Sequence, residues 1–191
     1  FSESPGAMAL AAASDGQMVR TEHVSAVLGE EMCAIGINWN YAPAVDLLYS
    51  AENPTMGTRS FGTDPEQVSS FAEAAVKGFQ RAGVAACAKH FPGLGETAID
   101  THLELPRLEV SEAQLLDRDL MPYRVVIEAG IASIMTTHTI IEALDPNYPV
   151  TLSPIVIQHL LRDQLDFEGV VTTDCMEMKA IADNFGAGES A

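Results

Sequence analysis

Helical segments alternate with short apolar segments along this sequence, and that alternation constrains the fold more than any other feature. The apolar segments end at Asp46, His90, His138 and Asp174. Segments without a polar break are typical of parallel strands, because helices cover both faces of a parallel sheet. Strands that alternate with helices join through right-handed crossovers. The sequence therefore predicts an α/β fold with about four β/α units, and residues 84–91, 131–138 and 169–174 are predicted to be strands buried on both faces.

Four such units amount to about half of a (β/α)8 barrel of the TIM type, which typically needs about 250 residues. The chain has 191 residues, begins at Phe1 and has no initiator Met. We therefore expect residues 1–191 to be a partial barrel domain that is truncated at both ends and inactive by itself.

Several helices have recognisable signals at their ends. The predicted start signals are Ser14 or Asp15, Asp64 with Pro65, Ser111 with Gln114 in a capping box, and Ser153 with Pro154. The first helix should run to Gly36, with Val19, Val24, Val27, Leu28, Met32 and Ile35 near helical spacing. Pro122 should kink the helix that begins at Ser111. The last helix should use Ile155, Val156, Leu160 and Leu161 as its apolar side.

The composition excludes some classes of partner. Ten basic residues against 27 acidic ones give a formal net charge of −17, which disfavours binding to nucleic acid phosphates. The three cysteines match no zinc or redox spacing, and no apolar run is long enough to span a membrane. These features predict a globular protein without a membrane span and leave its compartment open.

The loop after the second strand combines turn residues with titratable ones. Lys89 and His90 end the strand, and the proline and glycines that follow turn the backbone out of the sheet. Asp100 and His102 are two residues apart, so an extended backbone would point both side chains the same way. A carboxylate beside an imidazole fixes the tautomer and strengthens the ring as a base. The loop is therefore predicted to carry an acid/base pair.

Polar groups at successive strand ends should share one pocket, since loops after barrel strands carry the chemistry. The candidates are Arg59, Lys89, His90, Asp100, His102, His138 and Asp174. Retaining glycoside hydrolysis fits them, with Asp174 as the nucleophile and His102, backed by Asp100, as the proton carrier. A metal-dependent barrel hydrolase fits the residue types about equally well, and a non-catalytic barrel is a third possibility.

The segment from Lys89 to His102 resembles the signature of family 3 glycoside hydrolases, in particular their β-N-acetylglucosaminidase branch. That signature reads Lys-His-Phe-Pro-Gly-His-Gly and then Asp-Ser-His, and here Leu94 replaces the second histidine and Thr101 the serine. Segments 41–46, 58–62, 134–138 and 169–174 also resemble strands and loops of the family. The four strands would then be the fourth to seventh of the barrel, and a sugar-binding Asp-x-Glu-Gly-Gly strand would precede Phe1.

The resemblance implies roles for individual residues. Asp174 would be the nucleophile, Asp100 and His102 the acid/base dyad, and Arg59, Lys89 and His90 the residues that grip the N-acetylglucosamine ring. The implied reaction is hydrolysis of terminal β-linked N-acetylglucosamine from a small carbohydrate, such as a muropeptide-like substrate in cell-wall recycling, without a cofactor or metal. Phosphorolysis of the same bond and β-glucosidase activity remain the alternatives within the family.

Overall fold

The computed structural model describes residues 1–13, 18–49, 53–97, 100, 102–186, 188 and 190. The strands in this part of the chain are β1 (Trp39–Asn40), β2 (Ala85–Phe91), β3 (Arg107–Leu108), β4 (Ser133–Thr136), β5 (Ile140–Ile141) and β6 (Val170–Thr173). The main sheet has the order β1-β2-β4-β6, and every neighbouring pair is parallel. A second, two-stranded parallel sheet joins β3 to β5.

Helices precede, connect and follow the strands of the main sheet. They are α1 (Ala7–Ala13), α2 (Val19–Ala34), α3 (Pro65–Arg81), α4 (Glu112–Gln114), α5 (Met121–Glu128) and α6 (Lys179–Ala182), with π-helical segments at Leu115–Asp119 and Ile155–Gln164. Helix α3 connects β1 to β2, and the helical segment 112–128 connects β2 to β4. Strand order and chain order agree along the main sheet, as in a barrel of parallel strands. The predicted fold class, an α/β barrel-type fold of about four units, is confirmed.

Local capping signals begin α3 and α4 as predicted. The Asp64 carboxylate accepts a hydrogen bond from the Gln67 N–H at 2.8 Å, and Pro65 occupies the first turn of α3. The capping box of Ser111 and Gln114 is present. Gly83 follows α3 with a φ of +88°, a left-handed conformation that glycine adopts without strain. The predicted caps Ser14 and Asp15 lie outside the described residues.

Helix α2 buries a different side from the one its apolar residues indicate. Val19 is 72% exposed, and the buried positions of the helix are Thr21, Ser25, Ala26 and Gly29. Small residues are buried here because α2 packs closely against α3. A Cβ added to Gly78 of α3 would come within 2.7 Å of the Ser25 Cβ. The contact therefore requires small side chains, and hydrophobicity alone misidentifies the buried side.

Three further predictions need correction. Val170 is 57% exposed, because β6 pairs only with β4 among the described residues and lies at an edge of the sheet. Ile155 is 49% exposed, whereas Val156, Leu160 and Leu161 of the same helix are buried. The helix that begins after Ser111 is interrupted before Pro122 rather than kinked at it, because a π-helical segment separates α4 from α5.

The main core lies between the sheet and its covering helices. It includes Phe71 and Phe79 of α3, Phe91 of β2 and Tyr123 of α5. The rings of Phe91 and Tyr123 meet edge to face, with 5.0 Å between their centroids. This packing fixes the carboxyl end of β2, where the candidate site begins. In the part of the chain that the structure describes, every helix is too short or too polar to cross a lipid bilayer.

Candidate active site

The carboxyl ends of β2 and β6 bring His90 and Asp174 together. The His90 Nε2 lies 3.8 Å from the Asp174 Oδ2, and the backbone N–H of Asp174 donates to the Thr136 carbonyl at the end of β4. Asp174 keeps about a quarter of its side chain exposed, whereas His90 is buried. A partly exposed carboxylate at a strand end is accessible to a substrate. The two predicted site residues therefore share one site.

Asp46 orients His90, although it was not predicted to be a site residue. Its Oδ2 accepts hydrogen bonds from the His90 backbone N–H at 3.0 Å and from the ring Nδ1 at 2.9 Å. Its Oδ1 accepts the Leu94 N–H at 2.7 Å. Because a carboxylate only accepts, the His90 proton is held on Nδ1 and Nε2 faces Asp174. The sequence signal was available, since Asp46 ends an apolar segment as His90 and Asp174 do.

Lys89 lies close enough to both Arg59 and Asp174 for their charges to act on its ammonium group. Both cations line a cavity of about 340 Å³. Burial lowers the pKa of Lys89, and the neighbouring Arg59 guanidinium lowers it further, while the Asp174 carboxylate opposes both effects. Arg59 is exposed and donates a hydrogen bond to the Thr55 carbonyl at 3.0 Å. Both cations can donate charged hydrogen bonds to a ligand.

The predicted pair of Asp100 and His102 forms on the loop after β2. The His102 Nδ1 lies 2.7 Å from the Asp100 Oδ1, which also accepts the His102 backbone N–H at 2.9 Å. Burial favours the neutral acid, but the hydrogen bonds from His102 outweigh it and lower the pKa of Asp100. Asp100 is therefore ionised at neutral pH, holds the proton on Nδ1, and leaves Nε2 free to exchange a proton with a ligand.

The reason for this pairing differs from the predicted one. The backbone is not extended here, because the Asp100 carbonyl accepts the N–H groups of Leu103 and Glu104 in a tight turn. The carboxylate that accepts the backbone N–H two residues later is typical of aspartate in such turns. Within the described residues, no hydrogen bond or ion pair joins Asp100 or His102 to His90 or Asp174. The pair stands apart from the cluster at the strand ends.

The two Asp–His pairs use the same contacts in opposite environments. In each pair a single carboxylate oxygen accepts both the backbone N–H and the ring Nδ1 of the histidine. The His90 side chain is 6% exposed and the His102 side chain is 67% exposed. Burial suits His90 to a fixed position beside Asp174, and exposure suits His102 to proton exchange with a bound ligand or water.

His138 is buried and contacts the backbone next to Asp174. Its ring is buried, with Nε2 3.0 Å from the Cys175 carbonyl and Nδ1 2.8 Å from the Thr151 hydroxyl. A carbonyl only accepts, so Nε2 carries a proton and donates to the residue after Asp174. Burial lowers the pKa of His138, although the carbonyl and carboxylate groups around Asp174 partly offset it. His138 therefore supports the backbone that follows Asp174.

Residues 94–96, in the loop after β2, are held in place by several contacts. Leu94, which replaces the second histidine of the family signature, is buried against Leu48 and Met56. Gly95 lies directly against the Leu47 carbonyl, where a Cβ would overlap the backbone. Glu96 forms a 2.8 Å ion pair with Arg118 of the π-helical segment.

The residue types present allow nucleophilic and proton-transfer chemistry. Asp174 can attack an electrophilic carbon, and His102 can exchange a proton through Nε2. Within the described ranges, no group of three or more His, Cys, Asp or Glu side chains is arranged to hold a metal ion. The described residues thus offer no ligand set that would favour the metal-dependent alternative.

A parallel α/β barrel-type sheet with carboxylates and imidazoles at the carboxyl ends of its strands is an architecture typical of barrel enzymes. Residues 2–191 match the family described as the glycosyl hydrolase family 3 N terminal domain. The chain belongs to glycoside hydrolase family 3.

Individual relatives agree with this assignment. A β-hexosaminidase from Methylococcus capsulatus is 34% identical over 98% of this chain, and β-hexosaminidase A from Pseudoalteromonas piscicida is 37% identical over 85%. The chain spans 56% of the former and 29% of the latter. A family 3 β-N-acetylglucosaminidase from Paenibacillus sp. FPU-7 superimposes with a TM-score of 0.94 at 43% identity, over 97% of this chain and 35% of the other. The β-glucoside phosphorylase BglX superimposes with a TM-score of 0.89 at 30% identity, over 94% of this chain and 34% of the other.

Proposed function

We propose that the full-length protein is a retaining β-N-acetylglucosaminidase that releases terminal β-linked N-acetylglucosamine from a small carbohydrate. The 2.7 Å contact between His102 Nδ1 and Asp100 carries the proposal, because it provides an oriented proton carrier on the loop that follows β2. The β-hexosaminidase relatives support the substrate class. Since the chain spans only part of those relatives, the activity is proposed for the whole protein.

The first step forms a bond between the Asp174 carboxylate and the anomeric carbon of the sugar. The bond from that carbon to the leaving oxygen breaks at the same time, and the protonated His102 ring gives its Nε2 proton to this oxygen. The ionised Asp100 stabilises the imidazolium before transfer and holds the neutral ring afterwards. His90, fixed by Asp46 at the side of Asp174, helps to keep the nucleophile in position.

The second step returns the enzyme to its starting state. His102 Nε2 takes a proton from water as the water oxygen bonds to the anomeric carbon, and the ester to Asp174 breaks with its electron pair returning to the carboxylate. Two displacements at the same carbon retain the β configuration. Arg59, Lys89 and His90 are proposed to hold the hydroxyl groups of the ring throughout, by charged hydrogen bonds.

The substrate class is tested with matched aryl glycosides. We expect the full-length protein to hydrolyse an aryl β-N-acetylglucosaminide far faster than the corresponding β-glucoside. Adding inorganic phosphate separates hydrolysis from phosphorolysis, since phosphorolysis yields sugar 1-phosphate in proportion to phosphate. A β-glucoside preference, or sugar phosphate as the main product, would replace the proposal with one of the two alternatives in the family.

A further inference from the structure

The side chain of Asn53 joins two loops that carry different parts of the proposed site. Asn53 is buried, and its Nδ2 donates to the carbonyls of Leu94 and Thr97, both at 3.0 Å, with the Gly95 carbonyl at 3.3 Å. All three carbonyls belong to the loop that leads to Asp100 and His102. The amide group is therefore a fixed anchor for the backbone just before the acid/base pair.

The other end of the same amide fixes the loop that leads to Arg59. The Asn53 Oδ1 accepts the Met56 N–H at 2.8 Å, and it accepts both the N–H and the hydroxyl of Thr55 at 3.0 Å. The carbonyl of Thr55 in turn accepts a hydrogen bond from Arg59. Contacts thus run without interruption from the Arg59 guanidinium through Thr55 and Asn53 to the loop of the acid/base pair.

We propose that Asn53 is a positioning residue that couples the sugar-gripping Arg59 to the Asp100–His102 pair. The inference rests on the proposed function and adds to it a residue that touches neither the sugar nor the reacting atoms. Asn53 suits this task because an amide both donates and accepts, and here both kinds of group are used. When Arg59 engages the sugar, the shared anchor restrains the loop that delivers the proton. Losing the anchor should therefore impair proton delivery more than nucleophilic attack.

The test compares leaving groups in Asn53→Asp and Asn53→Ala variants of the full-length protein. Aspartate keeps the acceptor but turns a second oxygen toward three carbonyls, and alanine removes both kinds of contact. The leaving oxygen of an alkyl N-acetylglucosaminide needs a proton, so we expect kcat/KM for this substrate to fall about 30-fold or more. For an activated aryl substrate we expect kcat/KM to fall less than about fivefold. Asn184→Asp is the control, because the Asn184 amide also donates to backbone carbonyls, but at α6.

A merely structural role predicts a different pattern. It would lower kcat/KM equally for both substrates, and such equal losses would overturn the inference. Adding Asn53→Asp to His102→Ala should cost little more on the alkyl substrate than His102→Ala alone, because both changes remove one function. Fully multiplicative losses would likewise overturn it.

A milder substitution keeps the test possible if the Asn53 variants fail to fold. If neither Asn53 variant folds, the same two substrates are compared in Thr55→Val. This substitution removes only the hydroxyl that contacts the Asn53 Oδ1. A selective loss on the alkyl substrate supports the coupling, and no change or an equal loss contradicts it. A wild-type protein without activity on either N-acetylglucosaminide overturns the proposed function and this inference together. An active wild type with unselective variants overturns the inference alone.

Discussion

The His90 Nε2 lies 3.8 Å from the Asp174 Oδ2, while the Nδ1 on the opposite side of the ring lies 2.9 Å from the buried Asp46 carboxylate. The imidazole thus stands between two carboxylates, one fully enclosed and one open to a ligand. Asp46 sets the orientation of the ring, and the ring in turn borders the proposed nucleophile. The Asp46 carboxylate, which follows β1, therefore influences the surroundings of Asp174, which follows β6 three strands away in the sheet.

Asp46→Asn should destabilise the protein and slow the reaction. The substitution keeps the shape but turns an N–H group toward the hydrogen-bond donors of His90 or Leu94. We expect a loss of about 2–4 kcal/mol in the free energy of unfolding, measured in urea, because charged and buried hydrogen bonds are lost. Asp64→Asn is the matched control and should cost only a few tenths of a kcal/mol, since asparagine is an equally good N-cap. Similar losses in both variants would contradict the orienting role of Asp46.

His102→Ala should lose activity according to the leaving group. We expect kcat/KM to fall about 10²–10⁴-fold on alkyl N-acetylglucosaminides and much less on activated aryl ones, which depart without protonation. Asp100→Ala should show the same dependence on the leaving group with smaller losses in kcat/KM, because the His102 ring remains but loses the carboxylate that orients it. Steady-state rates across a series of leaving groups provide the measurement. A uniform loss across the series would argue against proton transfer by His102.

Asp100→Asn should change the pH dependence on alkyl substrates. The ionised Asp100 stabilises the protonated ring that donates the proton in the first step, and an amide cannot do so. The alkaline limb of kcat/KM against pH should therefore move to lower pH in the variant. Because the pKa of Asp100 is lowered by the hydrogen bonds from His102, its carboxylate stays charged throughout a comparison made from pH 6 upward. An alkaline limb at the same pH in both proteins would count against the pairing.

His138→Gln should flatten the pH dependence of stability. Burial lowers the pKa of His138 in the folded protein, so the unfolded chain takes up its proton first as pH falls. Stability is therefore lost as pH falls from above the ordinary value of about 6.5 to below the lower folded value. His90 and Asp174 face the same ring and remain in the variant, so the difference between the two proteins reports His138. Urea unfolding at pH 8 and pH 5 measures it, with exposed His159→Gln as the control.

Gly95→Ala should prevent stable folding of the acid/base loop, because the added Cβ would overlap the backbone carbonyl of Leu47. We expect a loss of at least about 3 kcal/mol in the free energy of unfolding. Gly186→Ala, where a Cβ would meet nothing within 4 Å, should stay within about 0.5 kcal/mol. Equal stability of the two variants in thermal unfolding would mean that the loop can move away from Leu47.

The sequence predicted those features that local chemistry determines. Asp64 with Pro65 begins α3 because capping involves only neighbouring residues. His90 and Asp174 converge because strand ends of a parallel sheet share one edge. The buried side of α2 could not be predicted in this way, since it depends on the close approach of Gly78 from another helix. Asn53 was missed for a similar reason, because the carbonyls that its amide contacts come from a loop more than 40 residues away. Asp46 could have been predicted, since it ends an apolar segment as His90 and Asp174 do.

Covalent trapping of the sugar tests whether Asp174 is the nucleophile. The full-length protein is incubated with a slow fluorinated N-acetylglucosaminide, digested and analysed by mass spectrometry. We expect one sugar attached to Asp174 and no labelling of Asp174→Ala. A sugar on any other residue, or a labelled Asp174→Ala variant, would contradict it.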